Sequence, residues 1–251
     1  MTPMLWRESD GGRWLQAELP GARAAFSART GGVSGAPFDS LNLGILTGDD
    51  PESVLENRRL LAARLGLRPE RVLMGMQVHG SDVLEHASAQ DPSPYARPGS
   101  PLTDADGHAT ATTDLAALVL VADCLPVALA GPGGVAMLHC GWRGLAAGIV
   151  ARGAERVGAQ AAAIGPGIGP CCYEVGPEVL ERFADLGEGI AAGPALDLAE
   201  VARRKLAAAG VGEIESAGLC TSCEAQLFFS HRRDGECSGR QAGLAWLREE
   251  G

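Results

Sequence analysis

The sequence lacks an apolar segment of membrane-spanning length, since no run reaches the roughly 18 to 20 residues that such a helix needs. Its first residues, MTPMLWRESDGGRW, contain no apolar core of the length typical of a secretory signal. Positive charge is scarce too, because 21 Lys and Arg stand against 31 Asp and Glu and give a net charge of −10. An acidic surface repels nucleic-acid phosphates and anionic lipid. We therefore expect a cytoplasmic protein with neither nucleic acid nor membrane as a partner.

Cysteine is present in an odd number, seven in 251 residues, which does not fit a disulfide framework. The pair Cys220 and Cys223 has the spacing of half a structural zinc site, which Cys171 and Cys172 could complete. Adjacent cysteines bind one ion awkwardly, and the sequence lacks a second CxxC pair. A four-cysteine site is therefore not expected. The glycine-rich run from 165 to 170 lacks the Lys-Ser/Thr of a P-loop, so we interpret it as a tight turn.

Apolar material makes up 46% of the chain, which is enough for a sizeable core. The hydrophobic pattern mixes strands and helices, with a proline-rich loop over 88–101. The predicted elements are strands near Leu118–Val121, Val127–Ala130 and Val135–Leu138, and helices over 51–66, from Trp142 to about 160, and over roughly 196–209.

The helix predicted over 51–66 carries an arginine within its apolar face. Asp50 suits the N-cap and Gly66 the exit. Arg58 lies between Val54 and Leu61 on the apolar face. It either snorkels at the edge of that face or points inward at an anion. Arg59 lies about 100° further round the helix, which turns it away.

Residues 119–144, VLVADCLPVALAGPGGVAMLHCGWRG, predict a hairpin that ends on a thiol and an imidazole. A turn at Pro132–Gly133 places Val127 opposite Leu138 and Cys124 opposite Gly141. His139 then shares a face with Cys124, because side chains alternate along a strand. Cys140 falls on the other face and is interpreted as packing.

A thiol and an imidazole on one face allow two chemistries. One is a nucleophile pair with His139 as the base of Cys124. The other is a zinc site, for which three protein ligands leave a fourth position open. His79, at the end of a strand-like stretch over Val72–Val78, is the third candidate ligand. Taken singly, a buried cysteine or histidine is more often part of the core.

Eight motifs in one order make the resemblance to a known family specific. They are FSARTGGVSGAPFDSLNLG (26–44), GDDPESVLENRR (48–59), QVHG (77–80), ADG (105–107), ADCLPV (122–127), HCGWRG (139–144), GPGIGPCCYEVG (165–176) and FFSHRRDGECSGRQAGLAWL (228–247). The chain thereby resembles the YfiH-like family, also called laccase-domain or multicopper polyphenol oxidase proteins. Members of that family are described as purine nucleoside phosphorylases.

The resemblance implies an α/β (α+β) fold, a four-layer αββα arrangement with a two-sheet core flanked by helices, as one laccase domain over residues 1–251. It implies one zinc per chain on His79, Cys124 and His139, which are then also the catalytic residues. It further implies phosphorolysis of adenosine, inosine and methylthioadenosine, and deamination of adenosine. Two positions depart from the family pattern: Cys140 replaces an alanine, and His231 a tyrosine.

Phosphate and purine nucleosides are thus the expected partners, and phosphate needs cations near it. We predict Arg58 and Arg143 as substrate-binding residues. Asp106 and Asp123 are candidates for acid–base work, although Asp123 alternates away from the zinc face if its strand is regular.

Four other readings stay open at this stage. They are a Cys–His hydrolase, an editing factor for cell-wall (peptidoglycan) precursors, a protein that zinc merely staples, and a copper-dependent polyphenol oxidase. Several coppers would need many imidazoles, whereas the chain has five histidines, and His86 and His108 are expected in loops. Copper in the zinc site in vitro remains an expectation, because affinity rises toward copper.

Overall fold

The computed structural model describes residues 3–248, and strands dominate that range. In chain order the strands are β1 (Leu5–Ser9), β2 (Gly12–Leu19), β3 (Ala22–Ser27), β4 (Val72–Leu73), β5 (Val83–Glu85), β6 (Gly107–Thr110), β7 (Ala116–Val121), β8 (Leu125–Gly131), β9 (Gly134–Cys140), β10 (Ala161–Ile164), β11 (Ala191–Ala192), β12 (Ala195–Leu196), β13 (Glu213–Ser216) and β14 (Gln241–Leu247). The α-helices are α1 (Pro51–Arg64), α2 (Trp142–Ala146), α3 (Ile149–Val157), α4 (Pro177–Glu181), α5 (Leu198–Ala208) and α6 (His231–Asp234).

Within this range, two six-stranded sheets form the centre of the fold. The first has the order β1-β2-β3-β14-β7-β4 and the second β13-β10-β8-β9-β6-β5. One buried cluster joins Phe26 and Val119 of the first sheet to Met137 and Ala163 of the second. Many of its other members are alanines, so the two sheets can approach closely.

Helices cover both outer faces of this pair of sheets. Val150 and Val157 of α3 and Val201 of α5 pack on the second sheet. Leu61 of α1 packs on the first sheet against Leu118 of β7. The predicted four-layer arrangement is confirmed. The single domain over 1–251 stays a prediction, and its ends at 1–2 and 249–251 lie outside the described residues.

The β8–β9 hairpin occupies the middle of the second sheet, and its predicted register is confirmed. Val127 pairs with Leu138, and Leu125 pairs with Cys140. The next position outward brings Cys124 beside Gly141. Cys140 is fully buried in the core on the opposite face, as predicted.

Helix α1 matches its prediction closely, whereas the segment after β9 does not. Asp50 caps α1 by accepting a hydrogen bond from the Ser53 N–H at 2.9 Å, and Gly66 follows the helix with φ 69°. The single helix predicted from Trp142 to about 160 is wrong, because Gly148, with φ 88°, separates α2 from α3. Only glycine adopts that conformation readily, so the helical path breaks there.

Two other local expectations are also wrong. The strand predicted over Val72–Val78 ends at Leu73, after which only Met76 forms an isolated bridge, with Asp104. His108 lies on β6 and is fully buried, not in a loop. Among residues 3–248, none of the helices combines the length and the apolar composition of a membrane-spanning helix.

Candidate active site

Three side chains converge at one end of the β8–β9 hairpin. The ligand atoms of His79, Cys124 and His139 all lie within 4.8 Å of one another. The two imidazole rings meet edge to face with centroids 4.8 Å apart. His139 is 4% exposed, Cys124 is half-buried and His79 is exposed. The three predicted residues are therefore brought together, with the open side at His79.

The backbone is in the left-handed region at two of the turns that build this site. His79 has φ 59° and Asp123, just before Cys124, has φ 89°. Such conformations are uncommon outside glycine and cluster at functional sites. The Gln77 side chain anchors the first turn, because its amide both donates to and accepts from the backbone of Leu120, at 2.7 and 2.8 Å.

Asp106 positions two of the three side chains at once. Its buried carboxylate accepts hydrogen bonds from the backbone N–H groups of Val78, His79 and Gly80, at 3.1, 3.0 and 2.7 Å. The same carboxylate is 2.7 Å from Nδ1 of His139. One anion thus fixes the turn that carries His79 and directs Nε2 of His139 toward Cys124.

These bonds also determine the charge of Asp106. Burial alone would raise its pKa, but the hydrogen bonds from His139 and from the N–H groups of Gly80 and Val78 outweigh burial and hold the pKa below the usual range. With its oxygens occupied by these hydrogen bonds, Asp106 holds the turn at 78–80 and the ring of His139 in place.

Asp123 lies in a turn with φ 89°, so the expectation that it alternates away from the zinc face, which assumed a regular strand, does not apply, and the residue lines the cleft. Its carboxylate accepts hydrogen bonds from Oγ1 of Thr221 and from the backbone N–H of Arg232, both at 2.6 Å. It is the one acidic side chain among the described residues that line the cleft.

Gly141 leaves the room that the three ligands need. A Cβ at this position would lie 2.9 Å from Sγ of Cys124 and 3.3 Å from Cδ2 of His79. Gly144 has a similar role one turn later, since its Cβ would lie 2.7 Å from the carbonyl oxygen of Gly80. The glycines of HCGWRG therefore let α2 approach the turn that carries His79.

The thiol and the imidazole shift each other's protonation. Burial would raise the pKa of Cys124, but His139 and His79 lower it to about 6. Burial would lower the pKa of His139, but the Cys124 thiolate and Asp106 raise it to about 9. Each group therefore favours the charged form of the other. The thiolate is the form of cysteine that binds metals.

The donor set fits a zinc ion held by three protein ligands. Thiolate and imidazole are ligands that zinc prefers, and three such ligands leave a position open for a substrate atom or water. The Nδ1–H group of His139 also donates a hydrogen bond to the carboxylate of Asp106, as the second ring nitrogen of metal-bound histidines usually does. The same donors accept copper, so ligand chemistry alone does not choose between the two metals.

A cleft of about 590 Å³ opens above the three ligands. Trp142 and Tyr173 supply aromatic surface to it, and burial raises the pKa of Tyr173 to about 12. The arginines in its lining are Arg58, Arg143, Arg232 and Arg240. A chain of net charge −10 therefore concentrates positive charge around this cleft.

Arg58 points inward, so the snorkelling interpretation is wrong. It is 1% exposed and donates from Nε to the carbonyl of Leu43 and from Nη1 to the carbonyls of Pro94 and Tyr95, at 2.9, 3.1 and 3.1 Å. Its Nη2 is buried without a hydrogen-bond partner among the described residues. Arg59, as expected, is exposed and lies 3.5 Å from Glu56.

Arg143 has the freest guanidinium in the cleft. It is exposed, stacks on Trp142 at 4.6 Å, and has no ion pair or hydrogen bond in the described part of the chain. Arg232 and Arg240 instead donate to backbone carbonyls. No role was predicted from the sequence for these two arginines or for Tyr173, although each lies in one of the family motifs.

Comparison with known proteins decides the family. A family model described as multi-copper polyphenol oxidoreductase laccase matches residues 23–248. The chain belongs to this family. The resemblance inferred from the eight motifs is thereby confirmed, and the fold and site described above are those of a laccase-domain protein.

Relatives of this laccase-domain chain are named as phosphorylases. It is 39% identical over 248 residues to purine nucleoside phosphorylase YfiH of Escherichia coli, with 94% of this chain and 97% of that protein covered. It is also 39% identical over 254 residues to a purine nucleoside phosphorylase of Pseudomonas aeruginosa, at 94% and 99% coverage. The crystal structure of YlmD from Geobacillus stearothermophilus has a TM-score of 0.87 and 36% identity, with 98% of this chain and all of that chain covered.

Proposed function

We propose that this chain is a zinc-dependent purine nucleoside phosphorylase that acts on adenosine, inosine and methylthioadenosine. The observation that carries the proposal is the His79–Cys124–His139 group at the floor of an arginine-lined cleft. The names of the relatives support the same reaction class. In phosphorolysis a phosphate oxygen bonds to C1′ of the ribose, and the C1′–N9 bond breaks. The electron pair leaves with the base, which takes up a proton.

The residues of the cleft offer contacts for the phosphate, for the purine and for an oxygen atom of the substrate. Arg143 offers free donors to a phosphate, and Arg58 offers Nη2, so both remain the proposed substrate-binding residues. Trp142 and Tyr173 offer surface for stacking a purine. A zinc ion held by the three ligands would polarise a substrate oxygen. Asp106 keeps His139 oriented throughout.

Deamination of adenosine is proposed as a side activity of the same cleft. There, water replaces the 6-amino group and ammonia leaves, which requires a group that moves protons. Asp123 is positioned for that role, because it lines the cleft and each of its oxygens accepts one hydrogen bond from the described residues. The Asp123→Asn variant should then lose inosine formation from adenosine while it still releases hypoxanthine from inosine.

The experiment is chromatography of reactions with zinc-loaded protein and each nucleoside, with and without phosphate. We expect base and ribose 1-phosphate only where phosphate is present, and inosine from adenosine in either case. The absence of turnover for every purine nucleoside would contradict the proposal and favour a binding or cell-wall editing role.

A Cys–His hydrolase is the second candidate, and one observation favours it. The pKa of Cys124 is lowered to about 6 beside His139, whose ring is held by Asp106 in the manner of a catalytic triad. Iodoacetamide separates the two functions. A hydrolase should lose activity in proportion to the fraction of Cys124 that is alkylated. In the zinc enzyme, by contrast, bound zinc should protect Cys124 from the reagent.

A further inference from the structure

Four cysteines outside the cleft meet at the edge of the second sheet. The sulfur atoms of Cys171, Cys172, Cys220 and Cys223 all lie within 4.8 Å of one another. The sequence did not favour a four-cysteine site, but the structure brings the four thiols together. We propose that these four thiols hold a second metal ion, a structural zinc.

The sulfur separations suit one tetrahedral ion. Zinc–sulfur bonds of about 2.3 Å place the sulfurs of a four-thiolate site about 3.8 Å apart. Sγ of Cys223 lies 3.4 Å from that of Cys171 and 3.5 Å from that of Cys172. Both separations are a few tenths of an ångström below the tetrahedral value, and all four thiols are free, with no disulfide among them.

Neighbouring parallel strands explain why distant cysteines meet here. β10 and β13 run parallel, so the loops that follow them leave the sheet at the same end of the strands. Gly167 and Cys220 continue the pairing as a parallel bridge, with the Thr221 N–H donating to the Gly167 carbonyl at 3.0 Å. The adjacent pair Cys171–Cys172 and the CxxC pair are thereby placed face to face.

The glycine-rich turn also supplies a backbone donor to sulfur. The N–H of Gly169 points at Sγ of Cys220 with a separation of 3.2 Å. A Cβ on Gly169 would lie 3.2 Å from Cβ of Cys220 and 3.3 Å from Sγ of Cys171. Hydrogen bonds from the protein to the ligand atoms are a regular part of metal sites.

Two arginines contact the backbone of the two cysteine loops, and one of them, Arg233, is also paired with Asp234. Four thiolates and one divalent ion carry a net charge of −2. Arg233 donates from Nη1 to the carbonyls of Thr221 and Ser222, at 2.9 and 3.1 Å, inside the CxxC loop. Arg232 donates from Nη1 to the carbonyl of Cys172 at 3.3 Å.

The second ion would act as a staple and not as a catalyst. Four protein ligands leave no open position, which is the pattern of structural zinc. Thr221, between the two CxxC cysteines, donates to Asp123, and the Ile168 N–H donates to the Asp123 carbonyl oxygen at 2.7 Å. The ion would therefore hold the loop of Ile168, which lines the cleft, against the loop of Thr221, which supports Asp123.

Metal content of matched variants tests this proposal. Protein purified under reducing conditions and loaded with zinc should contain two zinc ions per chain. Cys223→Ser and Cys124→Ala should each reduce the content to one, and the double variant should reduce it to none. Cys237→Ser is the control, because Cys237 is an exposed free cysteine outside both groups, and it should keep two.

Cobalt gives a readout that does not depend on metal counting or on turnover. In the Cys124→Ala variant, Co²⁺ should produce the intense thiolate charge-transfer and tetrahedral d–d bands of a four-sulfur site, and Cys223→Ser should abolish them. A wild-type content of one zinc that Cys223→Ser leaves unchanged overturns the proposal, as does a cobalt spectrum without thiolate bands. Because both readouts measure metal, a lack of phosphorolysis would not affect either result.

Discussion

The two ligand groups of this chain differ in donor type, in exposure and in what holds them. The cleft group combines two imidazoles with one thiol, lies beneath an arginine-rich cleft, and depends on the buried carboxylate of Asp106. The cysteine group has four thiols, two of them exposed, and depends on backbone pairing between two loops. Three ligands with an open position suit chemistry, whereas four ligands suit a staple.

The largest expected effect comes from removing the single thiol of the cleft group. Cys124→Ala should lower kcat/KM for phosphorolysis by about 1000-fold, because an ion that contributes roughly 4 kcal/mol to the transition state is lost. Steady-state kinetics with inosine and phosphate measure it. Cys237→Ser, remote from both groups, should be near neutral, and equal activity in the two variants would contradict a role for Cys124.

A smaller effect, on zinc affinity, should distinguish the cleft group from the four-cysteine group within one chain. Asp106→Asn leaves an amide that cannot accept all four hydrogen bonds, so His79 and His139 lose their orientation. We expect zinc affinity of the cleft group to fall by about 10- to 100-fold. Competition with a zinc chelator measures both affinities at once. The four-cysteine group should be unchanged, and a parallel loss at both groups would indicate general unfolding instead.

The arginine prediction concerns the wall of the cleft. Arg58→Lys should raise the KM for phosphate by about 10-fold, since an ammonium cannot reproduce the guanidinium geometry. It should also lower stability, because one Lys cannot reach the carbonyls of Leu43, Pro94 and Tyr95 together. Arg59→Lys is the matched control. A lower melting temperature with an unchanged KM would make Arg58 purely structural.

Two imidazoles that lie outside both groups give the smallest effect. Nε2 of His86 lies 3.1 Å from Nδ1 of His108, and burial lowers the pKa of His108 to about 3. The unfolded chain, with an ordinary histidine pKa of about 6.5, binds the proton more tightly, so stability is present above that pH and is lost as pH falls. Between pH 6.5 and 5.5 the free energy of unfolding should drop by about 1 kcal/mol.

Chemical denaturation at several pH values measures this slope. His108→Gln should remove the contribution of His108 and flatten the curve. An unchanged slope in that variant would assign the acid sensitivity to other groups, since carboxylates also titrate as the pH falls.

The cleft group was predictable because its signals are local or periodic. A turn at Pro132–Gly133 and the alternation of side chains placed Cys124 and His139 on one face, and the motif QVHG supplied His79. The role of Asp106 was missed, since nothing in the sequence indicates that one carboxylate binds both the turn at 78–80 and the ring of His139.

The four-cysteine group could not be predicted, for a different reason. Its two halves are separated by α4, α5 and three short strands, and only the parallel pairing of β10 with the last of these, β13, brings them together. The spacing of cysteines in the sequence shows one CxxC pair and one adjacent pair, but it does not indicate that their two loops lie side by side. The break at Gly148 was missed similarly, because the helical periodicity continues on both sides of it.

The most direct test of phosphorolysis at the cleft group uses phosphate labelled with oxygen-18 in all four positions. Mass spectrometry of the sugar product from inosine should show ribose 1-phosphate that retains all four labels, because a phosphate oxygen forms the bond to C1′. The zinc-loaded protein should yield this product, and Cys124→Ala should yield almost none. Free ribose as the product, or equal yields from both proteins, would contradict the account.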